Sequence, residues 1–115
     1  MSRSHKPIVW GLFAAGGTLA AFVLPAIILA VSFAVVLGLA SPDLLSYERV
    51  LGLLAHPLAK LVTFGVLFLV IWHAAHRMRI TAHDVGVRAD TLVAVVCYGI
   101  AALATIAMLV TLPGL

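Results

Sequence analysis

What this 115-residue chain has least of is charge: Lys, Arg, Asp and Glu together make up 10% of it, against 64% hydrophobic residues and a mean hydropathy of +1.24. A soluble domain this small keeps too large a share of its atoms at the surface to hide that much apolar area, so lipid is the expected solvent. Cysteine is almost missing too. The single Cys97 excludes an internal disulfide and a thiolate pair for a metal, and inside an apolar run it reads as a small packing residue. There is no internal repeat and no polar stretch long enough to form a soluble catalytic domain. The net charge of +3 would suit a nucleic-acid partner in a soluble protein. Here the basic residues flank apolar runs, which marks them as topology determinants and leaves no nucleic-acid reading.

Three apolar runs are present. After a short basic tail, Met1 to Pro7, the first runs from Ile8 to Ala40, far longer than the apolar part of a signal peptide. It is too long for one upright crossing and too short for two with a turn, which predicts one tilted or bent helix over 8–40, with the bend at Pro25. Pro7 suits its first turn, and Trp10 suits the interface there. Gly11, Gly16 and Gly17 leave its surface nearly bare, and Gly17 with Ala21 forms a small-xxx-small pair for close approach of another backbone. Ser41-Pro42-Asp43 breaks the run. Ser46 with Glu48 restarts a helix with a polar cap and a carboxylate near its positive end, giving an interfacial segment over 46–56. The second crossing is expected over 58–78, with Lys60 near its end and able to extend to the interface. The third is expected over 91–112, capped by Thr91 and ended by Pro113-Gly114, with Cys97, Ala101 and Thr105 as a second small-residue seam. The fold class is therefore all-α, a three-helix transmembrane bundle forming one domain over 1–115.

Orientation follows from the basic residues. Arg3, Lys6, Arg77, Arg79 and Arg88 lie on one side of the crossings, and Arg49 and Lys60 on the other, which puts the N-terminus and the second loop in the cytoplasm.

Chemistry concentrates in Trp72-His73-Ala74-Ala75-His76-Arg77-Met78-Arg79, where two imidazoles and two guanidiniums stand at the edge of an apolar helix. His73, His76 and Arg77 are three and four residues apart and share a helix face, and Trp10 is expected at the same depth. An imidazole, a guanidinium and an indole N–H around an apolar cleft suit a quinone. Its head group needs hydrogen bonds at both carbonyls, a cation to favour reduced anionic forms, and a proton carrier titrating near neutral pH. Haem is the competing cofactor, but His73 and His76 on one helix face cannot take opposite sides of one iron. His83 and Asp84 can pair within the loop, Arg79 reads as a loop anchor, and His56 has no visible partner. A third reading, a small stand-alone transporter or packing protein, sits poorly with the shortage of ionisable groups deep in the membrane.

Lys6-Pro7-Ile8-Val9-Trp10-Gly11-Leu12-Phe13 with Gly16-Gly17, then Leu45-Ser46-Tyr47-Glu48-Arg49-Val50-Leu51, then His76-Arg77-Met78 and His83-Asp84, closely resemble the D subunit of bacterial fumarate reductase. The match in order and spacing covers Lys6 to about Asp84, and the third helix matches in character. The resemblance implies a non-catalytic anchor in the cell inner membrane, working with a flavoprotein subunit, an iron–sulfur subunit and a second anchor, the C subunit. It implies a share in a menaquinol site with quinone-binding residues Trp10, His76 and Arg77, and no haem, no metal and no catalytic residue. The chain departs from the family pattern at Ala55-His56-Pro57, where the best-known relatives carry a glutamine–serine pair. His73 is additional to that pattern.

Overall fold

The computed structural model describes residues 4–115, so Met1 to Arg3, and with them the topological reading of Arg3, lie outside the described residues. No strand occurs among the described residues. The chain forms α1 (Lys6–Leu29), continued by a π-helical turn (Ala30–Ala34), a short 3₁₀ turn (Pro42–Leu45), α2 (Tyr47–Ala55), α3 (Pro57–Asp84) and α4 (Asp90–Thr111). α1 with its π turn, α3, and α4 with the turn after it are each long and apolar enough to cross a membrane. The molecule extends 53 Å along its longest axis. At about 1.5 Å per residue, helices of this size exceed a hydrocarbon core of about 30 Å.

Each helix start is set by local chemistry. Pro7 occupies the first turn of α1, where its missing N–H leaves no carbonyl unpaired. Ser46 caps α2 by accepting a hydrogen bond from the Arg49 amide at 3.4 Å, and Glu48 stands in the first turn beside the positive end of the helix dipole. His56, without visible partner in the sequence, caps α3: its Nδ1 accepts from the Leu58 amide at 3.1 Å, with Pro57 at the first helical position. α4 has no side-chain cap. It starts at Asp90, one residue before the expected Thr91 cap, and the Asp90 carboxylate is bonded to Arg79.

Two helix ends, that of the first run and that of α3, are set by glycine, not by polarity. The first run stops before Ala40, because Gly38 takes φ +70° and the Leu39 amide bonds back to the Ala34 carbonyl while Gly38 N–H reaches Val35. α3 ends on the same motif: Gly86 has φ +93°, Val87 N–H bonds to Ala82, and Gly86 N–H bonds to His83. α3 therefore runs past 78 to Asp84, since arginines outside the hydrocarbon continue a helix as well as leucines do. α1 is continuous through Pro25, with the π turn five residues beyond it.

α3 is the central element, packing against both α1 and α4 and touching α2 as well. The side chains of only two hydrophobic residues among those described, Ala75 and Ala101, are buried, together with Gly16. Small residues therefore mark the contacts, while large apolar side chains such as Phe22, Val36 and Val110 face outward. On α1 the contact is narrower than the glycine pattern predicts. Gly16 is buried and Ala20, one turn on, is half-buried, whereas Gly11 is open and Ala21 exposed, because they fall on other faces of the helix. A Cβ at Gly16 would collide with the Leu69 carbonyl oxygen and stand 2.8 Å from the His73 Cβ.

Gly16→Ala should therefore push α1 off α3, at a cost of about 1–3 kcal/mol for overpacking. Melting of the purified protein in detergent checks this, with Gly11→Ala as the neutral control because nothing lies within 4 Å of its Cβ position.

Candidate functional site

The first half of α1 runs antiparallel to the second half of α3, and their side chains open a cleft of about 400 Å³. Its walls include Trp10 and Phe13 from α1, Phe68, Trp72, His73 and His76 from α3, and Tyr98 from α4. Trp10 meets His76 edge-on at 6.4 Å between ring centres, and Phe13 meets it edge-on at 4.9 Å. The indole of Trp10 is 59% exposed, so the cleft has an open side that this chain does not cover.

His73 is committed to packing. Its Nδ1 stands 2.8 Å from the Phe13 carbonyl oxygen, the ring stacks on Phe13 at 4.3 Å, and its edge rests on Gly17, whose absent Cβ would lie 2.6 Å from Cε1. A ring nitrogen bonded to a carbonyl must carry the proton, so His73 donates and ties α3 to the backbone of α1. Gly17 is required because the imidazole occupies the space of a side chain.

His76 is held differently. Its Nδ1 lies 2.7 Å from the Tyr98 hydroxyl, and no partner of its Nε2 is found among the described residues. Tyr98 is stacked on Trp72 at 6.0 Å, and the Trp72 indole N–H donates to the Thr105 hydroxyl at 3.0 Å. Thr105 in turn donates to the Ala101 carbonyl at 2.8 Å, so the Cys97-Ala101-Thr105 seam faces α3. Arg79 forms a fork with Asp90, Nε to Oδ1 at 3.0 Å and the terminal nitrogen to Oδ2 at 2.7 Å, and lies 5.8 Å above the Tyr98 ring centre. It thereby clamps the end of α3 to the start of α4, anchoring the loop between them as its sequence position suggests.

Of the three residues expected at a quinone site, the structure brings Trp10 and His76 together in the cleft. Arg77 is exposed on the turn beside His76 and does not line the cleft within this chain. His83 and Asp84 form no ion pair among the described residues; the pair found there is Arg79–Asp90. Lys60, at the opposite end, donates to the Pro113 and Leu115 carbonyls at 3.2 and 3.0 Å. Tyr98 and Phe13 are cleft residues that sequence reasoning misses. A signal for Tyr98 exists: running back from Thr105 and Ala101 in steps of three and four passes Tyr98, Ala94 and Asp90.

Three apolar helices with a polar-tipped aromatic cleft at one end define a small membrane-spanning protein whose site is open to a neighbour. Residues 1–112 match the family model for the fumarate reductase D subunit. The chain is 38% identical to the fumarate reductase D subunit of Aliivibrio fischeri over 104 residues, covering 90% of this chain and 87% of that one. It is 38% identical over 108 residues to that of Aliivibrio salmonicida, covering 94% and 90%, and 39% identical over 99 residues to that of Photobacterium profundum, covering 86% and 82%. The chain belongs to the fumarate reductase D-subunit family, and so is a membrane anchor subunit of a multi-subunit complex.

The His73 arrangement makes a coupled prediction. His73→Leu, which keeps the bulk and loses the bond to Phe13, should weaken the α1–α3 contact by about 1 kcal/mol. Gly17→Ala should destabilise the protein with His73 present and be nearly neutral in a His73→Ala background, a double-mutant cycle readable by thermal melts in detergent.

Proposed function

We propose that this chain anchors the flavoprotein and iron–sulfur subunits of fumarate reductase to the cell inner membrane beside a second anchor, the C subunit, and that its cleft forms one wall of the complex's quinone site. The observation that carries the reading is the meeting of Trp10 from α1 with His76 from α3 over an apolar cleft of about 400 Å³, a size suited to a small ligand, with one side open. The lining residues that can hydrogen-bond a planar ring with two oxygens are few: Trp10 with its indole N–H, His76 with its imidazole, and Tyr98 bonded to it. Arg77, exposed next to His76 and outside the cleft of this chain, serves a ligand shared with a neighbouring subunit. A quinol bound there would supply two electrons towards fumarate and release two protons as it becomes the quinone. The chain itself orients the ring by hydrogen bonds and stacking, and its apolar walls keep water away.

The arrangement of Lys6, Arg77 and Arg79 at one end and Lys60 at the other supports a cytoplasmic placement of the cleft end, on the side of the catalytic subunits. A haem-bearing anchor of the succinate dehydrogenase type fits less well. The His73 ring edge that would have to reach an iron, Cε1 and Nε2, lies against Gly17, whose Cβ position is 2.6 and 3.2 Å from those atoms.

Arg77→Leu should leave the complex in the membrane and its dye-driven fumarate reduction intact while slowing quinol oxidation roughly tenfold, the scale of one lost charge-assisted hydrogen bond. Unchanged quinol kinetics would remove Arg77 from the site. The purified complex should show no haem absorbance, and a haem band lost in His73→Ala would overturn the haem-free reading.

A further inference from the structure

We propose that Tyr98 is a positioning residue that locks His76 in the tautomer protonated on Nε2, so that the imidazole offers the cleft a hydrogen-bond donor. The proposal rests on the reading of the cleft as a quinone site and specifies what that site presents to an oxygen of the ring.

His76 Nδ1 and the Tyr98 hydroxyl are 2.7 Å apart, and a phenol can either donate to a bare ring nitrogen or accept from a protonated one. Arg79 decides between them. Its guanidinium lies 5.8 Å above the phenol ring, held there by two bonds to Asp90. The guanidinium over the phenol polarises it and makes its O–H the better donor. Among the described residues, nothing facing His76 opposes this. α1 turns only Trp10 and Phe13 towards it. On α3 itself, His73 is spent on the Phe13 carbonyl and Arg77 is exposed. The one carboxylate nearby, Asp90 on α4, is consumed by Arg79.

Tyr98 therefore donates, Nδ1 accepts, and the single imidazole proton sits on Nε2. A fixed Nε2–H favours a carbonyl or anionic oxygen over a hydroxyl proton, so His76 holds the ring in place and is not the proton acceptor of the site. Stacking on Trp72 at 6.0 Å, and the indole bond from Trp72 to Thr105, keep the Tyr98 ring at the angle this requires.

The test uses the assembled complex, with fumarate reduction driven by a reduced water-soluble dye as the control for assembly. Tyr98→Phe keeps the stacked ring and removes the hydroxyl. It should raise the KM for quinol about three- to tenfold, the scale of one neutral hydrogen bond, and leave the dye-driven rate unchanged. A glutamine amide mimics Nε2 and an asparagine amide mimics Nδ1, so H76Q should lose clearly less quinol affinity than H76N. Adding Tyr98→Phe to H76Q should change nothing further, because no tautomer remains to be set. The proposal is overturned if H76N outperforms H76Q, or if Tyr98→Phe costs as much in the H76Q background as in the wild type. If His76→Leu slows quinol oxidation while Tyr98→Phe matches wild type, this inference alone falls. If His76→Leu has no effect on quinol kinetics, the quinone-site reading itself falls.

Discussion

The close approach of α1 to α3 at Gly16 is the constraint on which the remaining geometry depends. In lipid there is no water to expel between helices, so association rests on backbone proximity and on the few polar bonds that span the gap. At Gly16 both appear together: the bare Cα lies against the Leu69 carbonyl, and one turn along α3 His73 reaches across to the Phe13 carbonyl. That contact fixes the rotation of α1 about its own axis. With it fixed, Trp10 and Phe13, less than two turns earlier, have no choice but to face His76.

The second pairing, α3 with α4, is built from aromatic and polar groups as well as small ones. Ala101, 1% exposed, admits the close contact, while Trp72, Tyr98 and Thr105 supply stacking and hydrogen bonds along the same face. At the water-facing end Arg79 and Asp90 close the loop with a forked ion pair. Half-exposed pairs of this kind contribute little to stability, but they hold a charge in a defined place. Here that place is above the phenol that touches His76. Of the three histidines on α3, His73 ties the helix to α1 as a strut, and His76 lines the cleft with its Nδ1 on Tyr98.

Much of this is legible in the residues. Hydropathy alone marks three crossings, because lipid demands about twenty apolar residues in each, and the all-α class follows since an isolated chain segment can satisfy its backbone in lipid only as a helix. The family is legible in the Trp10, Tyr47-Glu48-Arg49 and His76-Arg77 segments, and the match over residues 1–112 agrees with it. Helix ends are not, since polarity reads as a stop signal where Gly38 and Gly86 do the stopping. The roles of His73 and His56 are also hidden. Each bonds to a backbone atom, Phe13 O and Leu58 N, and backbone partners leave no trace in side-chain patterns. Arg77 shows the opposite limit: a residue read into the site from its spacing to His76 and from the family resemblance stands outside the cleft of the isolated chain.

The central claim is that α1 and α3 together line the quinone site of the complex. Photolabelling the intact complex with an azido-quinone, followed by mass spectrometry of the peptides, tests it most directly. Labels are expected on the Val9–Phe13 segment of α1 and the Trp72–His76 segment of α3, both lost in competition with unmodified quinol. Competable labelling confined to the partner subunits, with neither segment of this chain modified, would contradict it.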